Sequence, residues 1–326
     1  MNLWWRDEAD VGPSDLVIVA VSGGVDSLVL LDLTLGVRST DEGATVAAHF
    51  DHAMRPDSAA DARAVAGTCS VLGVELEVER ATTPPAGETE ARRMRYAFLS
   101  RTAAARGAVA VLTAHHADDQ VETILFRILR GTGVRGLSGI PAQRPGGWEI
   151  PGSGGRSGRF LRPLLDAERS ELEAYARTRN LRALPDSTNL DPGPSRNRLR
   201  LEVLPRIEAV HPGARAAILR LGRNAERVGA AIDALLEPLE EDVGARTGSS
   251  GISFEREAFL DLAPAIRTEL LRRLGERVGV RLDESGTVRA LEFIRAGPRG
   301  AGIDLTGGAR LTRTDGRIAL RARFEG

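Results

Sequence analysis

Two glycines, two serines and an aspartate, Ser22-Gly23-Gly24-Val25-Asp26-Ser27, stand between an apolar run from Leu16 to Val21 and a stretch of helical character over 25–36. No other feature of the chain constrains its fold as tightly. An unbroken apolar strand is one buried on both faces, and a helix that starts directly after it packs back on the sheet, so the segment opens a parallel α/β layer. The glycines let the backbone approach an anion closely. The first-turn N–H groups and the helix dipole favour phosphate. Ser22 and Ser27 add hydroxyl donors. A carboxylate beside phosphates is repulsive unless a divalent cation lies between them, so Asp26 implies ATP with Mg²⁺ and makes itself the metal ligand. The bland alternative is a Gly-rich turn with a capping Asp. The loop is neither a Walker-type Gly-Lys loop nor G-x-G-x-x-G.

The same alternation continues through the first half. Strands are expected at 45–50, 74–79 and 108–114, and helices at 57–72, 88–106 and from Asp118 to Gly131, which predicts a doubly wound parallel α/β sheet. Residues 141–163 are rich in Gly and Pro and read as a loop or irregular hairpin, mobile at 152–158. A helix is expected at 166–180. Beyond 212 helical periodicity dominates 213–243 and 256–296, and the tail from Ile303 alternates like a small hairpin turning at Asp315-Gly316. The expected division is a catalytic domain, 1–211, and a smaller α-rich domain, 212–326.

Composition then removes whole classes of chemistry. All 44 basic residues are arginine, which rules out a Schiff base, a lysine general base and a phosphate-binding lysine. The single cysteine, Cys69, excludes disulfide frameworks, CxxC pairs, thiolate zinc sites and cysteine-held clusters. A formal charge of −1 means that a polyanion must meet a local patch, and residues 156–200 supply one with 10 Arg against 6 acids. The chain opens MNLWWRDE without a long apolar region, and no run reaches the ~18 residues of a membrane helix, so no membrane and a cytoplasmic location are expected.

Four further segments carry candidate chemistry. His49-Phe50-Asp51-His52 ends the second strand, where open α/β sheets place ligand groups; its histidines also suit metal binding or packing. In the helix Glu90–Leu99, Arg92 and Arg95 share a face that suits a triphosphate or RNA phosphate. In Thr113-Ala114-His115-His116-Ala117-Asp118-Asp119-Gln120-Val121-Glu122, Asp119 and Glu122 share a helix face and can hold a cationic amine or orient a metal. After Pro185-Asp186-Ser187-Thr188-Asn189, the alternating arginines Arg196, Arg198 and Arg200 suit a clamp for RNA phosphate or nucleotide.

The hexapeptide resembles the pyrophosphatase loop of the PP-loop ATP-pyrophosphatase superfamily, whose fold is adenine nucleotide alpha hydrolase-like. The four segments resemble the tRNA(Ile)-lysidine synthetase family, with Ala53 and Met54 replacing the usual Gly-Leu. This resemblance implies an ATP-dependent ligase. It would attach free L-lysine to C2 of the wobble cytidine of a CAU-anticodon tRNA(Ile), through an O-adenylated cytidine, releasing AMP and pyrophosphate. It implies that ATP lies on Ser22, Gly23, Gly24, Val25, Asp26, Ser27, Phe50, Asp51 and Arg95, and that Asp119 and Glu122 receive lysine. It also implies that Arg92, Arg196, Arg198 and Arg200 meet tRNA phosphate, that Asp26, Asp51, His115, Asp119 and Glu122 act in catalysis with His115 as proton acceptor, that residues 212–326 grip tRNA, and that the enzyme is a homodimer. The competing readings are a tRNA thiolase, which the single cysteine disfavours, and a non-catalytic nucleotide- or RNA-binding module.

Overall fold

The structure, a computed structural model, describes residues 11–39, 42–55, 57–184, 195–248, 251–306 and 308–322. It divides into two compact units, Met1–Ala225 and Glu226–Gly326, and the division falls within one long helix, Ala214–Asp242. Among the described residues no helix is long and apolar enough to cross a membrane.

In the first unit the order is β1 (Val17–Ala20), α1 (Val25–Val37), β2 (Thr45–Asp51), α2 (Ser58–Leu72), β3 (Glu75–Arg80), α3 (Glu88–Arg106), β4 (Ala110–Leu112) and α4 (Ala117–Leu129). A short helix α5 (Val134–Leu137), the strands β5 (Gln143–Glu149) and β6 (Ser157–Leu161), and α6 (Arg169–Thr178) follow. The sheet runs β3-β2-β1-β4-β6-β5 and is parallel except for the antiparallel edge pair β5–β6. Side chains alternate between two cores. Val17, Val19, Ala110, Leu112 and Leu161 pack on one side with Leu28, Val65 and Leu172 from α1, α2 and α6. Ile18, Val111 and Phe160 pack on the other with Phe98 and Leu99 of α3. Helices therefore cover both faces, which is why the central strands β1 and β4 are apolar along their whole length, while the edge strand β3 alternates with Glu75, Glu77 and Glu79.

The Gly- and Pro-rich stretch at 141–163 is a hairpin that extends the sheet, and β6 lies inside it. Its glycines serve packing: a Cβ on Gly146 or Gly158 would come within 1.9 Å of the Trp148 ring. Trp148, 5 % exposed, closes the α3-side core and donates its indole N–H to the Ala108 carbonyl at 2.8 Å. The composition that reads as a loop makes room for one aromatic side chain.

Ser195–Arg198 form α7, Leu199–Val203 a π-helical turn, Leu204–Val210 α8 and Ala214–Asp242 α9. In the second unit the expected helices are present as α10 (Arg256–Asp261), α11 (Pro264–Arg277) and α12 (Glu284–Ala296). They share that unit with an antiparallel sheet of β7 (Arg246–Gly248), β8 (Gly251–Glu255), β9 (Gly302–Leu305), β10 (Ala309–Arg313) and β11 (Arg317–Ala322), ordered β7-β8-β11-β10-β9, so it is mixed α and β rather than simply α-rich. The hairpin turning at Asp315-Gly316 joins β10 to β11, and Gly316 takes the left-handed φ of +77°. The strands β7, β8 and β9 are short and half polar, which hides them among helical periods.

Candidate active site

The loop Ser22–Ser27 lies at the C-terminal end of β1, next to β4, the position at which open α/β sheets take ligands. Its two serines organise it. Ser27 Oγ accepts from the Ser22 N–H at 3.1 Å, lies 3.2 Å from Ser22 Oγ, and donates to the Gly24 carbonyl at 2.9 Å. Gly24 caps α1 without a side-chain hydrogen bond, so the first-turn donors of the helix face outward. Gly23 has φ +92°, and a Cβ there would lie 2.7 Å from Leu184 Cδ1, so only glycine fits. Asp26 Oδ1 is buried with no hydrogen-bond partner among the described residues. A divalent cation shared with phosphate oxygens suits such an orphan oxygen, because Mg²⁺ is ordinarily held by one or two carboxylates and the phosphates themselves.

Beyond β4 the chain stays extended, and the alternation of the strand carries through the histidine pair. Leu112 faces the α1 side and Val111 the α3 side, and His116 and His115 follow the same parity. His116 caps α4 and is 4 % exposed. Its Nε2 lies 3.6 Å from Asp26 Oδ2 and 3.7 Å from Asp119 Oδ2, and its Nδ1 lies 3.6 Å from Asp118 Oδ2. Burial opposes a charge on the ring, but hydrogen bonding to Asp118 and Asp26 and the field of Asp119 outweigh it, and its pKa is pushed up to about 10. The 3.3 Å contact from the Asp118 N–H to Nδ1 belongs to the neutral ring only, since an imidazolium has no lone pair. Asp118 is lowered to about 2, first by its hydrogen bond to His116, which outweighs burial, with help from the Arg169 N–H and Arg215.

His115 is the opposite case. Burial, then the positive field of Arg162, Arg92 and Arg95, hold it well below the usual histidine range. Its Nδ1 lies 3.0 Å from Thr113 Oγ1. Two consecutive histidines are thus driven in opposite directions, one towards the charged form by carboxylates and one towards the neutral form by burial and then by arginines.

The remaining expected residues are distributed as follows. Asp119 Oδ2 accepts the His116 N–H at 2.9 Å, completing the cap of α4. Glu122, 3 % exposed, accepts Arg200 through Nε at 2.5 Å and Nη2 at 3.1 Å. Glu122 and Arg200, expected to meet lysine and tRNA separately, therefore satisfy each other, at a π-helical turn of the kind that recurs at functional sites. Asp51 is 4 % exposed, pairs with Arg80 at 3.0 Å and accepts the Ala53 N–H at 2.8 Å. It fixes a turn in which Ala53 holds φ +55°. Phe50 packs in the α3-side core against Phe98. Arg198 is exposed, with Glu202 3.8 Å away. The Arg196 side chain and Pro185–Asn189 lie outside the described residues.

Sequence reasoning named His115 and passed over His116, Asp118, Tyr96 and Arg162. The two-residue period of β4, extended by four positions, would have aimed His116 at the loop and His115 away from it.

The family described as the PP-loop domain matches residues 8–207. A tRNA(Ile)-lysidine synthase of Thermobifida fusca is 35 % identical over 326 residues, covering 96 % of this chain and 94 % of its own. The chain belongs to the tRNA(Ile)-lysidine synthase family. The synthase of Gloeobacter violaceus is 36 % identical, with 68 % of this chain and 70 % of its own covered. That of Pseudomonas aeruginosa is 40 % identical over 78 % of this chain, which spans only 55 % of that longer relative. Among solved structures, a U34-tRNA thiolase from Methanococcus maripaludis, with its 4Fe–4S cluster, superposes with TM-score 0.52 at 17 % identity. The match covers 65 % of this chain and 73 % of the thiolase, and it shows a shared fold. Cys69, the one cysteine, is buried in the α1-side core, and burial raises its thiol pKa, away from the reactive thiolate.

Proposed function

We propose that this chain is an ATP-dependent lysidine-forming ligase that joins the ε-amine of lysine to C2 of the wobble cytidine in a CAU-anticodon tRNA(Ile). The observation that carries the reading is the Asp26 carboxylate, with one orphan oxygen, facing the His116 and Asp119 cluster across a phosphate loop in a chain of this family.

The cytosine O2 attacks the α-phosphorus of ATP. An O–P bond forms, the bond to the β-phosphate oxygen breaks, and pyrophosphate leaves. The first-turn N–H groups of α1 and the hydroxyls of Ser22 and Ser27 hold the departing oxyanions. Asp26 would hold Mg²⁺ through its orphan oxygen, and the ion would supply charge neutralisation for the departing pyrophosphate. The neutral ε-amine then forms the C2–N bond, the C2–O bond breaks, and AMP leaves with the electron pair. His115, expected as the proton acceptor, is held neutral by burial and arginines and faces away from the loop, so the Asp119 carboxylate, on the loop side, takes the amine proton, whereas His116 is already protonated and supplies positive charge beside the loop. Asp119 and Glu122 receive the lysine side chain, and Glu122 does so by exchanging the Arg200 guanidinium, which an RNA phosphate can take over. Arg196 and Arg198 extend that clamp. The division of labour between 1–211 and 212–326, a homodimer and a cytoplasmic setting belong to the same reading.

The test is acid-precipitable radiolabelled lysine on a CAU-anticodon isoleucine tRNA transcript. Label that needs ATP and the wobble cytidine supports the reading, and pyrophosphate release without lysine transfer refutes it.

A further inference from the structure

Around Tyr96, where α3 crosses the ends of β4 and β6, positive charge collects without its usual counter-charge. Arg92 Nη2 lies 3.3 Å from the Tyr96 hydroxyl, with its guanidinium 4.9 Å from the ring centroid. The Arg95 guanidinium lies 5.8 Å from the same centroid, and that of Arg144 at 4.3 Å. Arg162 follows β6, is 2 % exposed, and donates Nη1 to the Pro141 carbonyl, while its Nε is buried without a partner. Among the described residues no carboxylate lies within ion-pair distance of Arg92, Arg95 or Arg162, and Glu88 acts on Arg95 only from farther away. Three guanidinium groups with one member fully buried are costly to assemble unless an anion completes them.

The kind of anion follows from the shape. Its deepest member, Arg162, is 2 % exposed, and the Arg144 guanidinium and Phe160 already flank the Tyr96 ring, so no base stacks there. A phosphodiester within an RNA chain carries a nucleoside on either side and needs an open groove. A terminal carboxylate does not, and it matches planar guanidinium donors. The amino-acid substrate of the proposed reaction is a zwitterion, and Asp119 and Glu122 serve only its amine end.

We propose that Arg92, Arg95 and Arg162 form the seat for the α-carboxylate of the lysine substrate, on the α3 side of β4, opposite the phosphate loop. This rests on the lysidine-synthase reading. The seat also explains selection of an amino acid over a plain diamine, since an analogue without the carboxylate leaves the arginines unpaired.

The experiment compares lysine with cadaverine, its decarboxylated analogue, as nucleophile for ATP- and tRNA-dependent transfer by the full-length protein. Wild type is expected to prefer lysine by at least about 10³-fold in kcat/KM. Arg95→Gln, and separately the more exposed Arg92→Gln, should reduce that preference by at least about tenfold. Use of cadaverine as readily as lysine by wild type overturns the proposal without any variant. So does a variant that keeps the preference while its apparent KM for ATP or tRNA rises, which would assign the arginines to nucleotide or RNA phosphate. If wild type transfers neither amine to tRNA, the lysidine reading fails first and the seat falls with it.

Discussion

Replacing Arg200 by Gln leaves the Glu122 carboxylate buried and unpaired. Removing one partner of a buried ion pair costs about 3–5 kcal/mol. The Glu122 side chain is 5 % exposed but that of Arg200 is 25 %, so some water reaches the pair and the lower end, about 3 kcal/mol, applies. At about 2–4 °C per kcal/mol for a unit of this size, thermal unfolding should shift down by about 6–12 °C. Adding Glu122→Gln removes the stranded charge, so the double variant should be more stable than Arg200→Gln alone by at least about 1 kcal/mol. Free lysine should raise the unfolding midpoint of Arg200→Gln more than that of wild type, because an ammonium can occupy the emptied carboxylate. Differential scanning fluorimetry with a lysine titration measures all three. If the single variant loses under about 1 kcal/mol, or if the two substitutions simply add, Glu122 is not an enclosed cation receptor and the exchange between Arg200 and lysine is wrong.

Asp26→Ala should lower pyrophosphate release by at least about 10²-fold, with the Mg²⁺ dependence of the residual rate flattened, as followed by a coupled phosphate assay. The folded-state pKa of His116 is raised, so its stabilisation is complete below about pH 6.5 and is lost as pH climbs through about 10. His116→Asn should therefore narrow the stability gap to wild type between those two values, which urea unfolding at a series of pH values would show; a constant gap would contradict the carboxylate cage. Ala53→Gly should stabilise by about 1 kcal/mol, because an L side chain at φ +55° is strained, and no gain in urea midpoint would count against that turn.

How much of this was legible in the residues varies by element. The phosphate loop and the parallel strands were, since apolar runs ending in glycine and helix starts are local signals. The β5–β6 hairpin was legible only as one of two alternatives, a loop or an irregular hairpin, because its glycines look like loop residues until the Trp148 ring that they admit is in place. Of the second unit's sheet only the hairpin at Asp315-Gly316 was legible; the other strands are short, and their pairing is set by partners far along the chain.

Sequence by itself determined the layer architecture, the nucleotide loop and the family, because each rests on residues close together in the chain. Tertiary structure alone decided the charges and pairings. Whether a histidine is protonated depends on its burial and on which carboxylates or guanidinium groups surround it, and those came from α1, α3, α4 and the residue after β6. Whether Arg200 is a free clamp or a partner of Glu122 depends on a contact spanning 78 residues. Electrostatic energy is set by distance and burial, and neither can be read along the chain.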